Sequence, residues 1–220
     1  MLFRGSNIVK IKKLKKDGSI DEGIISRITD TIKNKGIVIL PVDNIYGVVG
    51  ITSAEIEDRI SKVLSLDEKK TIRLISSFKM LNDIASYTKF DYDFLNRVWP
   101  GEVNVILKKK AADKENRCIN IRFPKNRFLQ SVISSVECPL FVTKIYNKRG
   151  ALVYRQNDIV KGYGDKVELV VIIEELCKRH PISTLIDISR GELKIVHEGK
   201  VPSDEIKSLY FLGKDDDLIY

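Results

Sequence analysis

A chain of 220 residues with 43% hydrophobic side chains can bury a substantial core, so no disulfide framework is needed to hold it. Its three cysteines, Cys118, Cys138 and Cys177, form no Cys-x-x-Cys or Cys/His ligand pair. That spacing excludes zinc and dithiol redox motifs and reads as buried thiols of a cytosolic protein. No apolar run approaches the roughly 18 residues of a membrane span, and the first residues lack a signal-peptide core, so a soluble cytoplasmic protein without a membrane partner is expected. The net charge of +8 suits a polyanionic partner such as nucleotide or RNA, and equally suits a solvated lysine surface.

In chain order, residues 8–11 read as a short strand, followed by the turn Lys16-Asp17-Gly18-Ser19. Asp21 can start a helix that places Ile24, Ile25, Ile28 and Ile32 on one face, with Gly36 as a left-handed C-terminal cap. Residues 36–41 are continuously apolar, the pattern of a strand covered on both faces, and Pro41 ends it. Thr52 and Glu55 form a capping-box pattern ahead of a helix whose inner face is Ile56, Ile60, Val63 and Leu64.

A strand over 71–75, helices over 80–87 and 92–99, and strands over 103–107 and 118–123 follow. A helix over 128–136 then leads to a strand over 140–145. Further strands are expected over 169–173, 184–188 and 193–197, with a last helix from Ser203. This alternation predicts an α/β fold, an open twisted mixed sheet with helices on its faces. One domain over 1–220 is expected, its residues after about 211 forming a solvated tail that includes Asp215, Asp216 and Asp217.

Pro41-Val-Asp-Asn-Ile-Tyr-Gly-Val48 sets polar residues at the carboxyl end of a buried strand, where open α/β sheets bind ligands. The segment resembles the Pro-Thr-Asp/Glu-Thr-Val-Tyr-Gly-Leu signature of the YrdC/YciO family. Trp99-Pro-Gly101 resembles that family's Trp-Pro-Gly-Pro-Leu-Thr, and Ile121-Arg-Phe-Pro124 its Arg-Val-Pro strand end. Asn147-Lys-Arg-Gly150 resembles Asn-Leu-Ser-Gly, Ile182-Ser-Thr-Leu-Ile-Asp187 resembles Pro-Ser-Thr-Ile-Val-Asp, and Ile195-Val-His-Glu-Gly199 resembles Ile-Ile-Arg-Glu-Gly. Each segment alone is weakly specific, but the six occur in the family's order.

The resemblance implies a YrdC-like domain acting as an L-threonylcarbamoyladenylate synthase. Such an enzyme joins ATP, threonine and bicarbonate into threonylcarbamoyl-AMP and pyrophosphate for tRNA modification, with Mg²⁺. The family also includes proteins described as double-stranded RNA binders, so a non-catalytic relative that binds tRNA, duplex RNA or nucleotide is the alternative. By resemblance, Arg122, Asn147, Ser183, Thr184 and Lys69 are the nucleotide- or phosphate-binding candidates, and Asp43 and Tyr46 the substrate-pocket candidates.

An Arg fork at 122 can hold two phosphate oxygens, or make an ordinary ion pair at a strand end. Ser183 and Thr184 can offer hydroxyls to phosphate or ribose, or satisfy their own turn. The Tyr46 ring can line a pocket or pack beneath its loop. No general base and no metal ligand is assigned.

Departures from the family pattern accompany the matches. Val42 stands for a threonine, Asp67 for the lysine of a Lys-x-Arg pair, Asn104 for a threonine, Ile145 for a serine and His197 for an arginine. Lys69, Lys70 or Arg73 could compensate for the lost cation at 67. His197, a lone histidine, reads better as a strand residue than as a catalyst. The lysine clusters 10–16, 108–110 and 144–149 lack the aromatic interleaving of an RNA motif, and a solvated face is their plainer reading.

Overall fold

The computed structural model describes residues 7–64, 71–110, 118–147, 149–176 and 181–212. Within them the chain forms seven helices and eleven strands, and its contacts separate into two compact units, each assembled from two stretches of chain. The first unit takes residues 1–71 and 126–180, the second 72–125 and 181–220.

The first unit holds β1 (Ile8–Ile11), β2 (Val38–Val42), β3 (Ile45–Ile51), β8 (Leu140–Lys144) and β9 (Leu169–Ile173). They lie side by side in the order β1-β9-β2-β3-β8. The pairs β1/β9 and β9/β2 are parallel, and β2/β3 and β3/β8 antiparallel. Every residue of β2 and of β9 is buried, as the unbroken apolar run of β2 requires. Its helices are α1 (Glu22–Lys33), α2 (Ala54–Leu64), α5 (Arg127–Val136) and α6 (Gln156–Tyr163). Ile37, Ile39, Tyr46, Val48, Phe141, Val170 and Ile172 share a core with Ile56, Ile60 and Leu64 of α2 and Ile159 of α6.

The second unit holds β4 (Thr71–Leu74), β5 (Ala85–Ser86), β6 (Val103–Lys109), β7 (Cys118–Arg122), β10 (Thr184–Asp187) and β11 (Lys194–His197). Their order is β4-β7-β6-β10-β11, with β5 beside β6. Val103, Val105, Ile121 and Ile186 pack one face of this sheet on α3 (Phe78–Ile84), α4 (Lys89–Val98) and α7 (Ser203–Phe211), through Leu81, Phe94, Leu95, Ile206 and Tyr210.

Local chemistry accounts for where the elements start and stop, and it corrects four expectations. Asp21 caps α1 as its sequence suggests, its carboxylate accepting the Gly23 N–H. The left-handed residue after α1, however, is Lys35 at φ 60°, and Gly36 is required for space instead. A Cβ there would stand 2.6 Å from Thr31 Cγ2 and 2.7 Å from Thr31 O. The cap of α2 is Ser53, whose Oγ accepts from Ile56 N and whose carbonyl accepts from Glu57 N. Thr52 is drawn away to donate to Pro139 O, and Glu55 pairs with Lys35, so the Thr52/Glu55 box does not form.

The third correction is β3. Pro41 does not end the strand: β2 runs on to Val42, turns through Asp43 and Asn44, and returns as β3 with Val42 opposite Ile45. Asp43 takes φ 60° at the first turn position, a conformation Asp tolerates better than most residues. The fourth concerns the thiols. Cys118 opens β7 at its exposed end and Cys138 is half-buried beside Lys33, so neither is a core residue; Cys177 lies outside the described residues.

Candidate functional site

In the second unit, Val105 on β6 pairs with Ile121 on β7, so Asn104 and Arg122 fall together on the opposite face of the sheet. Asn120, two residues before Arg122, joins them. One face of the unit is therefore apolar and helix-covered, and the other carries two amides and a guanidinium. Asn104 and Asn120 each present a buried Oδ1 with no hydrogen-bond partner among the described residues. Buried acceptors without partners are rare in folded proteins and point to a missing donor.

Arg122 is only 5% exposed. Its Nη1 donates to Ser183 Oγ, and its Nη2 donates to Glu102 Oε2 at 2.9 Å. Glu102 uses its other oxygen to accept from Lys200 Nζ at 2.8 Å. Four side chains, one at the end of β7 and the others just before β6, just before β10 and in the turn after β11, thus form one seat, cationic and hydroxylic, closed by a single carboxylate.

Backbone bonds fix this seat. Trp99 Nε1 donates to Val103 O at 2.7 Å, Gly101 N donates to Phe123 O, and Thr184 N donates to Glu102 O. The Trp-Pro-Gly turn accordingly places Glu102 beside the end of the Arg122 strand. On the other side, Gly199 approaches the 182–183 backbone so closely that a Cβ would stand 2.1 Å from Ile182 O. Lys200 N then donates to Ile182 O at 2.8 Å, which brings the Lys200 ammonium onto Glu102.

Thr184 holds that turn in place. Its hydroxyl donates to Val201 O at 2.6 Å and accepts from Gly199 N at 3.0 Å and Val201 N at 3.1 Å. A hydroxyl has one proton and two lone pairs, and all three are used in a fully buried site. The structure thereby gives Thr184 a positioning role in this turn. Replacing Thr184 with Val should strand two N–H groups and a carbonyl and cost about 2–3 kcal/mol, read as a lower urea midpoint at unchanged slope. A shift below about 0.5 kcal/mol would contradict this role.

Burial alone would push the Glu102 carboxyl up, but the hydrogen bond from Lys200 and the charges of Arg122 and Lys200 outweigh it and hold the carboxyl below its ordinary 4.5. A carboxyl depressed in the folded state stabilises the protein above its unfolded value, and that stability is lost as pH falls through the folded value. Glu102→Gln should therefore flatten the acid side of the stability curve below pH 4.5, measured by thermal melts across pH. An unchanged acid limb would refute the linkage.

The first unit carries the remaining candidates. Tyr46 is fully buried in the core among Ile39, Val48 and Phe141, so packing beneath the loop accounts for its ring. Asp43, half-buried, forms the β2–β3 turn. Asn147 is exposed, and its Oδ1 accepts from Arg149 N and Ala151 N, organising its own loop.

That loop borders a cleft of about 1070 Å³ walled by Tyr146, Asn147, Tyr154, Arg155, Tyr163 and Lys166. Lys166 Nζ stands 5.5 Å over the Tyr163 ring, and burial pushes the Tyr146 and Tyr163 hydroxyls up. Val42 and Ile145 are buried among apolar neighbours. Lys69, Lys70 and Asp67 lie outside the described residues. Arg73 pairs in register with Ile121 and so lies on the face opposite Arg122. His197 is exposed on β11.

Glu102, Lys200, Asn120 and the tyrosine-walled cleft were not legible as site features. The signal for Glu102 was present: an acidic residue follows Trp-Pro-Gly where the family pattern has proline. Lys200, directly after the Glu-Gly pair, carried no pattern of its own.

A family model for Sua5/YciO/YrdC, described as "Telomere recombination", matches residues 30–199. The chain belongs to the Sua5/YciO/YrdC family. Its fold is similar to that of a doubly substituted P. abyssi Sua5, with a TM-score of 0.80 at 18% identity, covering 91% of this chain and 62% of that one. It is likewise similar to P. abyssi Sua5 complexed with L-threonine, with a TM-score of 0.78 at 19% identity, covering 92% of this chain and 60% of that one. E. coli YciO matches with a TM-score of 0.76 at 17% identity, covering 89% of this chain and 96% of that one. This chain thus spans about three fifths of the Sua5 chains. No curated protein sequence matches it significantly.

Proposed function

We propose that the chain is an L-threonylcarbamoyladenylate synthase, joining ATP, threonine and bicarbonate into threonylcarbamoyl-AMP and pyrophosphate for tRNA modification. The observation that carries this reading is the buried Arg122 with Ser183 at its fork, on a polar sheet face. In the reaction a carbamate oxygen attacks the α-phosphorus of ATP and pyrophosphate leaves, so charge on the phosphoryl oxygens must be met by fixed donors. Arg122, Ser183 and Lys200 supply such donors, and Asn104 and Asn120 supply acceptors for N–H or O–H groups of the ligand.

ATP and Mg²⁺ are the cofactors the reading calls for. Among the described residues no three His, Cys, Asp or Glu side chains come together to hold a metal. The chemistry of the seat suits the phosphates rather than the cation. Support for threonine as the amino acid comes from the fold shared with a Sua5 bound to L-threonine.

Incubation with ATP, Mg²⁺, threonine and bicarbonate should release pyrophosphate, and no release above an Arg122→Ala control refutes the synthase. The second reading, a non-catalytic binder of tRNA, duplex RNA or nucleotide, is favoured by the +8 charge and by a carboxylate already on the arginine fork. It predicts a salt-dependent mobility shift with RNA and no pyrophosphate. No helix among the described residues is long and apolar enough to cross a membrane.

A further inference from the structure

The basic segment 144–149 holds one ring, Tyr146, and the fold adds two more from later in the chain. Asn147 N donates to Ala151 O, Val153 N donates to Ile145 O, and Tyr146 forms an antiparallel bridge with Leu152, so the chain doubles back on itself. Tyr154 lies two residues beyond Leu152 and so falls on the same side of this hairpin as Tyr146. Burial first, and then the neighbouring Tyr154, push the Tyr146 hydroxyl up, which keeps it a neutral donor at neutral pH. Tyr163, the last residue of α6, adds the third ring to the cleft wall.

Val63, Leu64, Leu152 and Val153 give the cleft apolar lining. Gly162 leaves it open beside α6, since a Cβ there would meet nothing within 4 Å. Arg155 and Lys166, both exposed, bring two cations against one carboxylate, Asp158, among the described residues. Helix α6 starts after Arg155 with no side chain capping its first turn, so the positive end of the helix adds to them. Aromatic faces beside cations suit a ligand that alternates flat bases with phosphates. At about 1070 Å³ the cleft exceeds the roughly 300–1,000 Å³ of a pocket for one small molecule, which leaves room for more than one nucleotide unit. A duplex hides its base faces within its own stack, so only unpaired bases can reach the rings.

We propose that the tyrosine-walled cleft of the first unit binds single-stranded nucleic acid, stacking unpaired bases on its rings and meeting the backbone phosphates with Arg155 and Lys166. Lys166, which stands over the Tyr163 ring, exchanges that contact for a phosphate when a base takes the ring face. The proposal goes beyond the synthase reading, which rests on Arg122 in the second unit, and it stands if that reading fails.

Fluorescence anisotropy of the full chain with a labelled single strand of about ten nucleotides, as RNA and as DNA, tests it against the same strand in duplex form. Tyr154→Ala should weaken single-strand binding about tenfold, and Tyr154→Phe should retain it, because the ring and not the hydroxyl carries the stack. Lys166→Gln, an exposed change, should lower the slope of log affinity against log salt by roughly 0.7. Duplex bound as tightly as the single strand, an unchanged Tyr154→Ala, or a Tyr154→Phe as weak as Tyr154→Ala would overturn the proposal. AMP displacing the strand at equal concentration would overturn it too, as the sign of a mononucleotide pocket. Should Tyr154→Ala fail to fold, the Lys166→Gln slope and the duplex comparison decide. Pyrophosphate release on the same samples keeps the readings apart. A parent that binds the strand without releasing pyrophosphate refutes the enzyme and keeps the cleft, whereas strand binding lost in Arg122→Lys overturns the cleft.

Discussion

Arg122→Ala should weaken the fold and, on the synthase reading, abolish phosphate-ligand binding, two losses that this single variant does not resolve. Removing the guanidinium leaves Ser183 without its donor and Glu102 with only the half-exposed Lys200 as a counter-ion. Breaking a buried ion pair from one side costs about 3 kcal/mol, which should appear in a urea melt. On the synthase reading, nucleotide turnover should fall by about 10²-fold or more, the usual consequence of deleting a fixed donor to a developing charge. Arg122→Lys separates the effects: the charge stays, so most stability returns, but the fork is gone and turnover should remain depressed. Full activity in Arg122→Lys would show that Arg122 serves only as a cation of the fold.

Gly199→Ala is the second large effect, and it acts through space rather than charge. The added methyl would meet Ile182 O at 2.1 Å and Ser183 C at 2.7 Å, both backbone atoms that no rotamer change can move aside. Relieving that contact requires the turn to lift, which breaks the Thr184 bonds to Gly199 N and Val201 N and carries Lys200 off Glu102. Destabilisation of about 3 kcal/mol is expected, with a fall in melting temperature of about 6–12 °C for a chain of this length. Gly162→Ala is the matched control, because a Cβ there meets nothing within 4 Å inside α6. That change should be neutral or slightly stabilising. Equal melting temperatures for the two variants would refute the steric account.

Where burial and periodicity coincide, the sequence was a sufficient guide. The isoleucine stripe of α1 and the strands β6, β7 and β9 appear where their patterns put them, and the apolar run 36–41 does give a buried strand, displaced to Val38–Val42. Arg122 and Ser183 do come together, although their residue types alone could not choose between a ligand seat and a closed ion pair. The failures have physical causes. β3 was hidden because Asp43 and Asn44 turn the chain within two residues, so strand, turn and strand read as one loop. Helix α6 escaped notice because Gly162 and Gly164 lie in and after it, its first residues find no side-chain cap, and Ile159 is its only fully buried residue. Tyr46 is a pocket candidate only through the loop's resemblance to the family signature, and of its two readings the packed one fits a ring that β3 turns fully inward. Thr184 reads in sequence either as a ligand hydroxyl or as one that satisfies its own turn, and the three backbone partners of its oxygen all belong to that turn.

The two-stretch construction of the second unit has a consequence for synthesis on the ribosome. Glu102 and Arg122 belong to the stretch 72–125, but Ser183 and Lys200 come from 181–220, after the long excursion that completes the first unit. A chain emerging at about 5–20 residues per second leaves that arginine and glutamate without Ser183 and Lys200 for several seconds. The last strands and α7 must then close a contact across some sixty residues, a non-local step of the kind that slows folding. Interruption of translation between those stretches would leave the second unit without β10, β11 and α7, and Arg122 without Ser183.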